Sequence, residues 1–256
     1  PRTSKEHIKP VRQKWFGVAC CPPNIARTLA SLGEYIYFAE EDAIWVNLFI
    51  SNKAKFTVNN QELTLDMQTN FPYEGHTRIE LKGKAFVKGK IYLRIPDYVK
   101  DYKILVDGGV VDSPQITGGY CVLELEMDQR TIDIHFDLTP RFVRANPLVK
   151  ENIGKVAVMK GPLVYCMEEV DNESNLPAYY IDTSSKLLEY YDKELLGGTV
   201  VIKCEGKKVT QEGWDVNQLY SEQKITSEQK MLTFIPYPYW GNRKTGEMLV
   251  WVKEML

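Results

Sequence analysis

Two adjacent cysteines stand directly before a helix signal near the start of the chain, in the run Cys20-Cys21-Pro22-Pro23. Proline is favoured at the first helical position, where its missing N–H would have no partner anyway, so the sequence predicts a helix that begins at Pro22 or Pro23. The positive end of a helix dipole favours a thiolate and is expected to lower the pKa of a cysteine beside it. A thiolate is both a nucleophile and a zinc ligand, so Cys20 and Cys21 predict nucleophilic or metal-binding chemistry.

The five cysteines of the chain argue against a disulfide framework, but they leave open that Cys20 and Cys21 are simply buried. Neighbouring cysteines rarely form a disulfide with each other because their Cβ vectors diverge, whereas a pair of small buried hydrophobic residues stays an alternative reading. Cys121 and Cys166 lie in apolar, strand-like runs and predict inert core positions, and Cys204 is less clear. An odd number of cysteines without regular spacing indicates reduced thiols rather than a disulfide framework, which favours a cytoplasmic protein.

The residues around the cysteine pair resemble a known family. The segment 16–27, with its Cys-Cys-Pro-Pro-Asn run, is similar to a segment of glycoside hydrolase family 127, the β-L-arabinofuranosidases. The similarity continues over most of the chain, in the order found in the family, at 46–50, 93–96, 155–165, 239–243 and 246–248.

The resemblance implies a retaining glycosidase in which a zinc-bound cysteine replaces the usual nucleophilic carboxylate. Cys20 matches the nucleophile of the family, which also binds the metal, and Cys21 matches a further zinc ligand. The implied substrate is an arabinoside or an oligosaccharide. The resemblance also implies three groups from an upstream region: an acid/base glutamate, and a glutamate and a third cysteine that complete the zinc site.

Cys20 and Cys21 lie close to the start of the given sequence, so the upstream glutamates and the third cysteine that the resemblance implies are not in it. The sequence begins at Pro1 without an initiator methionine, and only nineteen residues precede Cys20. We therefore expect the C-terminal part of such an enzyme, with half of a metal site and no activity by itself. The alternative is a non-catalytic carbohydrate-binding or structural module, for which the aromatic pair Tyr239 and Trp240 is equally suited to stacking on sugars or to packing.

The element that must position the cysteines is the helix that follows them. Apolar residues recur at helical spacing at Ile25, Leu29, Leu32 and Ile36, and Gly33 is expected to end or bend the helix. The resemblance implies that this helix is the last one of an α/α-barrel catalytic domain. The sequence thus predicts that residues 1–39 are the end of that barrel.

Beyond residue 40 the apolar period changes from helical to two, which predicts strands. The expected fold is mainly β, with a β-sandwich over 40–145 and a second β-sandwich over 146–256. In the first, strands are predicted at 44–50, 55–58, 62–68, 77–82, 90–95, 103–106, 120–126 and 131–138. In the second, they are predicted at 155–165 with an edge or bulge at Gly161-Pro162, and at 199–204, 230–235 and 247–252, with a short helix near 186–195.

Composition limits the classes of partner. The 34 acidic and 32 basic residues are evenly spread and give a net charge of −2, which argues against a nucleic-acid-binding protein. No apolar run approaches the roughly 20 residues of a membrane-spanning helix. The oligomeric state stays open, with a homodimer as one alternative.

Of the three histidines, His135 is predicted on a solvent face, and His7 and His76 have no identifiable partner.

Overall fold

The computed structural model describes residues 11–15, 20–83, 88–126 and 128–255. Contacts along the chain divide these residues into two compact units. We call residues 20–138 the first sandwich, and residues 139–255 together with 11–15 the second sandwich. The described residues form twenty strands and only three short α-helices, so the predicted mainly-β fold is confirmed.

The predicted helix forms, and it breaks where glycine was expected to break it. Helix α1 is Pro22–Ser31, with prolines in its first two positions, and α2 is Gly33–Ile36. No residue of α1 is buried in this chain, and Ile25 and Leu29 are 62% and 65% exposed. Its apolar stripe therefore has no partner among the described residues, whereas Ile36 at the end of α2 is buried.

The first sandwich consists of two sheets. Its strands are β1 Tyr37–Ala39, β2 Ala43–Val46, β3 Asn52–Val58, β4 Gln61–Thr69, β5 His76–Gly83, β6 Lys88–Arg94, β7 Tyr102–Val106, β8 Gly109–Val110, β9 Gln115–Thr117, β10 Tyr120–Glu126 and β11 Gln129–Phe136. One sheet has the order β1-β2-β6-β10-β9, and the other has the order β3-β4-β5-β11-β7-β8. The β2–β6 pair is parallel and the other pairs are antiparallel.

The two sheets pack face to face because alternate residues of their strands are apolar. Ile44 and Ile91 of the five-stranded sheet share one buried cluster with Leu65, Ile79 and Ile132 of the six-stranded sheet, and all five are fully buried. Fully burying an aliphatic side chain of this size contributes about 1.5–3 kcal/mol. This interior is therefore the main source of stability for the first sandwich.

The strand predicted over 44–50 ends early, at Val46. The backbone N–H groups of Asn47 and Leu48 both donate to the carbonyl oxygen of Ile36, at 2.9 and 3.4 Å. The chain therefore leaves the sheet at Asn47, because its backbone hydrogen bonds go to the end of α2 instead of a neighbouring strand.

The second sandwich is built on one extended set of paired strands. They are β12 Arg141–Val143, β13 Lys155–Lys160, β14 Leu163–Glu168, β15 Tyr179–Ile181, β16 Leu188–Asp192, β17 Thr199–Val209, β18 Ser227–Pro236, β19 Met248–Leu249 and β20 Val252–Glu254, with helix α3 at Glu169–Asn172. Pairing runs from β13 through β20, β15, β17, β18 and β14 and returns to β13. The sheet therefore folds over on itself around a buried cluster that includes Val158, Tyr165 and Phe234, and a smaller cluster contains Cys166, Val201 and Ile235.

Two local predictions in this unit are wrong. The pair Gly161-Pro162 forms a two-residue turn between β13 and β14, with Gly161 at φ 52°, instead of an edge or bulge within one strand. The predicted helix near 186–195 is strand β16, which pairs with β17. Tyr190 favours the strand because the Nζ atom of Lys203, on the neighbouring strand, lies 5.1 Å from the centre of its ring.

One stretch near the start of the chain belongs to this second unit. Arg12 donates its backbone N–H to the carbonyl oxygen of Gly241 at 2.7 Å, and its Nε to the carbonyl oxygen of Trp240 at 2.7 Å. The second sandwich is thus discontinuous in sequence.

Among the described helices, none has the length and apolar character that crossing a membrane requires.

Glu254 makes the stability of the second sandwich dependent on pH. Its carboxylate accepts hydrogen bonds from Arg144 Nε at 2.9 Å and from Thr183 Oγ1 at 2.7 Å, and Arg144 first and Thr183 second lower its pKa. A lowered pKa in the folded state stabilises the protein above the ordinary glutamate value of about 4.3, and this contribution is lost as the pH falls through the lowered pKa.

We therefore expect Glu254→Gln to reduce the free energy of unfolding by up to about 1 kcal/mol at pH 7, the size of a partly exposed ion pair. The difference between variant and parent should shrink below pH 4. Urea unfolding at pH 7 and pH 3 measures it. An equal difference at both pH values would contradict the role assigned to the ionised carboxylate.

Candidate functional site

The cysteine pair lies at the start of helix α1 and is open to solvent. Cys20 and Cys21 are both exposed and unoxidised, and their Sγ atoms are 3.8 Å apart. Cys21 is the residue that caps α1, and its carbonyl oxygen accepts the backbone N–H groups of Asn24 and Ile25 at 3.0 and 3.3 Å. The first turn of the helix therefore fixes the backbone beside the two thiols. The alternative of two buried hydrophobic residues does not apply to the chain as described.

The separation of the two sulfur atoms suits a shared metal ion. Two thiolates bound to one tetrahedral zinc, each with a Zn–S bond of about 2.3 Å, lie roughly 3.8 Å from each other. The pair Cys20 and Cys21 has this spacing. No group of three or more His, Cys, Asp or Glu side chains among the described residues is arranged to hold a metal ion. Cys20 and Cys21 are therefore two candidate ligands, and no third His, Cys, Asp or Glu side chain among the described residues is grouped with them.

The expected lowering of the pKa by the helix is wrong for Cys21. The pKa of Cys21 is raised, first by its hydrogen bond with Cys20 and then by the charge of Cys20. The hydrogen bond with Cys20 favours the neutral thiol of Cys21, and a negative charge on Cys20 also repels a second charge on Cys21, so the two thiols resist joint ionisation. A bound cation reverses this balance, since it makes the thiolate the favoured form of a coordinating cysteine.

The helix beside the thiols has its own polar pair. Arg27 Nη2 donates to Asn24 Oδ1, one turn away, and Thr28 Oγ1 donates to the carbonyl oxygen of Asn24 at 2.9 Å. These contacts stabilise the first turn of α1 and thereby the backbone that carries Cys21.

The other three cysteines are inert core residues. Cys121, Cys166 and Cys204 are at most 1% exposed, and burial raises their pKa values to about 11, 12 and 12. The core prediction for Cys121 and Cys166 is confirmed, and Cys204 joins them. The two exposed thiols are thus chemically distinct from the rest.

The two described histidines lie side by side on the outer face of the six-stranded sheet. The rings of His76 and His135 stack with their centres 4.5 Å apart, and both residues are exposed. The solvent-face prediction for His135 is confirmed. The view that His76 lacks a partner is wrong, since its Nε2 lies 3.0 Å from Asp133 Oδ1 across the β5–β11 pair. His7 lies outside the described residues.

The aromatic segment near the end of the chain adjoins an ionic network in which Glu168 is buried, while Arg243 and Asp171 each keep 18% of the side chain exposed. Arg243 donates to Glu168 Oε2 at 2.5 Å and to Asp171 Oδ1 at 2.8 Å, and the N–H of Gly241 donates to Glu168 Oε1 at 3.1 Å. The hydrogen bond to Asp171 is the main cause that raises the pKa of Arg243. Trp240 packs against Tyr237 with ring centres 5.9 Å apart. These contacts favour packing as the role of this segment.

Sequence reasoning missed the acidic side of this network. Glu168 is the last residue of β14 and is 4% exposed, yet in the sequence it opens an acidic run that predicts a solvated turn. The only signal in the sequence was a lone arginine after a run of aromatic residues, 75 positions away.

Comparison with known proteins relates both sandwiches to one family. A model described as "Beta-L-arabinofuranosidase, GH127 middle domain" matches residues 43–138. A model described as "Glycoside hydrolase family 127 C-terminal domain" matches residues 140–253.

Individual relatives show the same similarity over nearly the whole chain. The non-reducing end β-L-arabinofuranosidase of Bifidobacterium longum subsp. longum is 33% identical over 98% of this chain and 39% of its own length. The crystal structure of a GH127 β-L-arabinofuranosidase from Geobacillus stearothermophilus T6 matches with a TM-score of 0.92 and 36% identity, over 99% of this chain and 40% of that one. Another solved GH127 β-arabinofuranosidase matches with a TM-score of 0.84 and 30% identity, over 96% and 40% of the two chains. The chain thus spans about two fifths of the length of these relatives.

Proposed function

The chain belongs to glycoside hydrolase family 127, as its middle and C-terminal domains, and we propose that it is part of a retaining β-L-arabinofuranosidase with Cys20 as nucleophile. The Bifidobacterium relative is a non-reducing end β-L-arabinofuranosidase, which supports the proposed substrate. The observation that carries the proposal is the pair of exposed thiols 3.8 Å apart at the start of α1. The five unpaired cysteines support a reducing, cytoplasmic location.

In the proposed reaction, the Cys20 thiolate attacks the anomeric carbon of the arabinofuranoside. A C–S bond forms while the bond from that carbon to the leaving oxygen breaks, and the leaving oxygen takes a proton from a glutamic acid in an upstream part of the protein. The glutamate then removes a proton from water, which attacks the same carbon and releases Cys20 as thiolate. Two inversions at one carbon give net retention.

Zinc is the proposed cofactor, and Cys20 and Cys21 would hold it. When bound, the metal supplies the positive charge that keeps a coordinating thiol ionised at neutral pH. The role of Cys21 in this scheme is to anchor the metal beside the nucleophile. The remaining ligands, a glutamate and a third cysteine, would come from the same upstream part as the acid/base glutamate.

An assay with an aryl β-L-arabinofuranoside tests this function. We compare the 256-residue chain with a version extended upstream to the length of the relatives. The extended protein should release the aryl group and give β-L-arabinofuranose as first product by NMR, and the 256-residue chain should be inactive. An α-anomer as first product, or equal activity in the shorter chain, would contradict the proposal. Inactivity of both forms with intact sugar binding would favour the non-catalytic module.

A further inference from the structure

The distance between the two exposed thiols rules out one kind of bond and suits another. The Sγ atoms of Cys20 and Cys21 are 3.8 Å apart, and both residues are exposed. A disulfide needs about 2.0 Å between its sulfur atoms, so at this spacing the two atoms are too far apart for a direct bond. Two bonds of about 2.3 Å to one shared atom, the length of a Zn–S bond, span the observed gap. The cysteine pair is therefore spaced for a bridge of one atom.

The number of available ligands decides which bridging atom the described residues can hold by themselves. A structural zinc ion takes four ligands, and the described residues group no third ligand with the two thiols. Trivalent arsenic is also a soft partner for thiolates, but it forms only three bonds. An arsenic(III) atom that carries one organic group therefore needs two sulfur atoms and no other ligand. Cys20 and Cys21 supply this set completely, whereas they supply half of a zinc site.

The two As–S bonds reinforce each other because the thiols belong to neighbouring residues of a fixed backbone. The carbonyl oxygen of Cys21 accepts the backbone N–H groups of Asn24 and Ile25 at 3.0 and 3.3 Å, which holds Cys21 at the start of α1. Once one sulfur is bonded, the other is held within reach of the same arsenic atom. An intramolecular second contact of this kind raises the overall affinity by about 10²–10⁴-fold.

The other three thiols of the chain are closed to such a reagent. Cys121, Cys166 and Cys204 are at most 1% exposed, and burial raises the pKa of each of them. Buried thiols in apolar surroundings are inert, since the reagent cannot reach them and the thiolate is disfavoured. In the folded chain the reaction is therefore confined to Cys20 and Cys21.

We propose that Cys20 and Cys21 together form a binding site for arsenic(III) compounds that carry one organic group and two displaceable hydroxyl groups. In the reaction, two S–H bonds and two As–O bonds break, two As–S bonds form, and two molecules of water leave. Arsenic stays trivalent and no sulfur is oxidised, so neither an oxidant nor a reductant is needed.

Binding at this site is independent of the proposed hydrolysis, but its consequence rests on that proposed function. A bound arsenical occupies the proposed nucleophile and both proposed zinc ligands of this chain at once. It therefore excludes zinc and inhibits the upstream-extended enzyme. A small dithiol that competes for the arsenic atom should restore activity when zinc is present.

Phenylarsine oxide, which is hydrated to the required dihydroxy form, tests the site on the reduced, metal-free 256-residue chain. One equivalent should protect two of the five thiols from a chromogenic thiol reagent in the folded protein. Native mass spectrometry should show one phenylarsenic group per chain. Dimercaptopropanol should remove this group, whereas mercaptoethanol at the same thiol concentration should not, because it offers only separate single thiols.

Single serine variants test whether both sulfur atoms take part. Cys20→Ser and Cys21→Ser should each weaken binding of phenylarsine oxide by about 100-fold or more, since each loses the second As–S bond. Both residues are exposed, so the fold should tolerate either change. Cys121→Ser is the matched control and should bind like the parent, because that thiol is buried. Diphenylarsinous acid, with one displaceable hydroxyl group, should bind the parent as weakly as it binds Cys21→Ser.

Three results would overturn the proposal. The first is two phenylarsenic groups on one chain, which would mean that the thiols react separately. The second is equal affinity of the parent and Cys21→Ser, and the third is equal affinity of the parent and a double variant with serine at both positions. If the extended protein proves to have no arabinofuranosidase activity, the proposed function fails, but the stoichiometry on the 256-residue chain still decides the arsenic site.

Discussion

Replacing Cys20 with alanine is expected to lower turnover of an aryl β-L-arabinofuranoside by the upstream-extended protein by on the order of 10⁴-fold or more. The reason is that the variant lacks the atom that forms the C–S bond, while substrate binding by the rest of the site remains. The loss should therefore fall on kcat rather than KM. Rapid-quench and steady-state kinetics measure both quantities.

Two further variants separate the nucleophile from the metal site. Cys21→Ser should lose zinc, measured as metal per chain, and lose activity with it, because a hydroxyl is a much poorer zinc ligand than a thiolate. Cys121→Ser is the control, since that thiol is fully buried in the core of the first sandwich. Turnover by Cys20→Ala at the parental rate would refute the nucleophile, and full zinc content in Cys21→Ser would refute the metal role of that residue.

Replacing Arg243 with methionine is expected to destabilise the second sandwich by about 3–5 kcal/mol, the cost of leaving a buried charge without its partner. Arg243 is the cation that pairs with both Glu168 and Asp171, and the side chain of Glu168 is only 4% exposed. Hydrogen exchange read by mass spectrometry resolves the two units. Protection should fall within 139–255 and stay unchanged within 20–138.

A matched exposed arginine serves as control for this effect. Arg78 lies 3.5 Å from Asp133 on the surface of the first sandwich, with 45% of its side chain exposed. Arg78→Met should cost about 0–1 kcal/mol because exposed ion pairs contribute little. The double variant Arg243→Met with Glu168→Gln should recover part of the lost stability, since it removes the unpaired charge. Equal losses in Arg243→Met and Arg78→Met would contradict the buried network.

Local signals in the sequence predicted helix α1 and most of the strands. The elements that the sequence did not predict depend on long-range contacts. The prolines fixed the start of α1, and period-two apolar residues such as Ile132 and Ile134 placed the strands, because both signals depend only on neighbouring residues. The segment 188–192 is a strand because β17 offers it a partner, and this pairing has no local signature.

The site shows the same limit. The sequence places Cys20 next to Cys21 and so predicts chemistry there, but the raised pKa of Cys21 depends on the distance between two sulfur atoms. Long-range contacts of polar side chains are equally hidden: Tyr120 donates to Asn47 Oδ1 from 73 residues away, although Asn47 stands in an alternating apolar run that predicts a strand.

The hydrogen bonds of Arg12 to Trp240 and Gly241 also bear on the order of folding. Residues 20–138 are synthesised before Trp240 and Gly241. The first sandwich can therefore fold before the groups that Arg12 binds have been synthesised. Closing a flexible loop of this length costs entropy that grows with the number of loose residues. The first sandwich is inserted between the two parts of the second sandwich. If it folds first, fewer loose residues separate Arg12 from residue 139, and the entropy cost of completing the second sandwich is smaller.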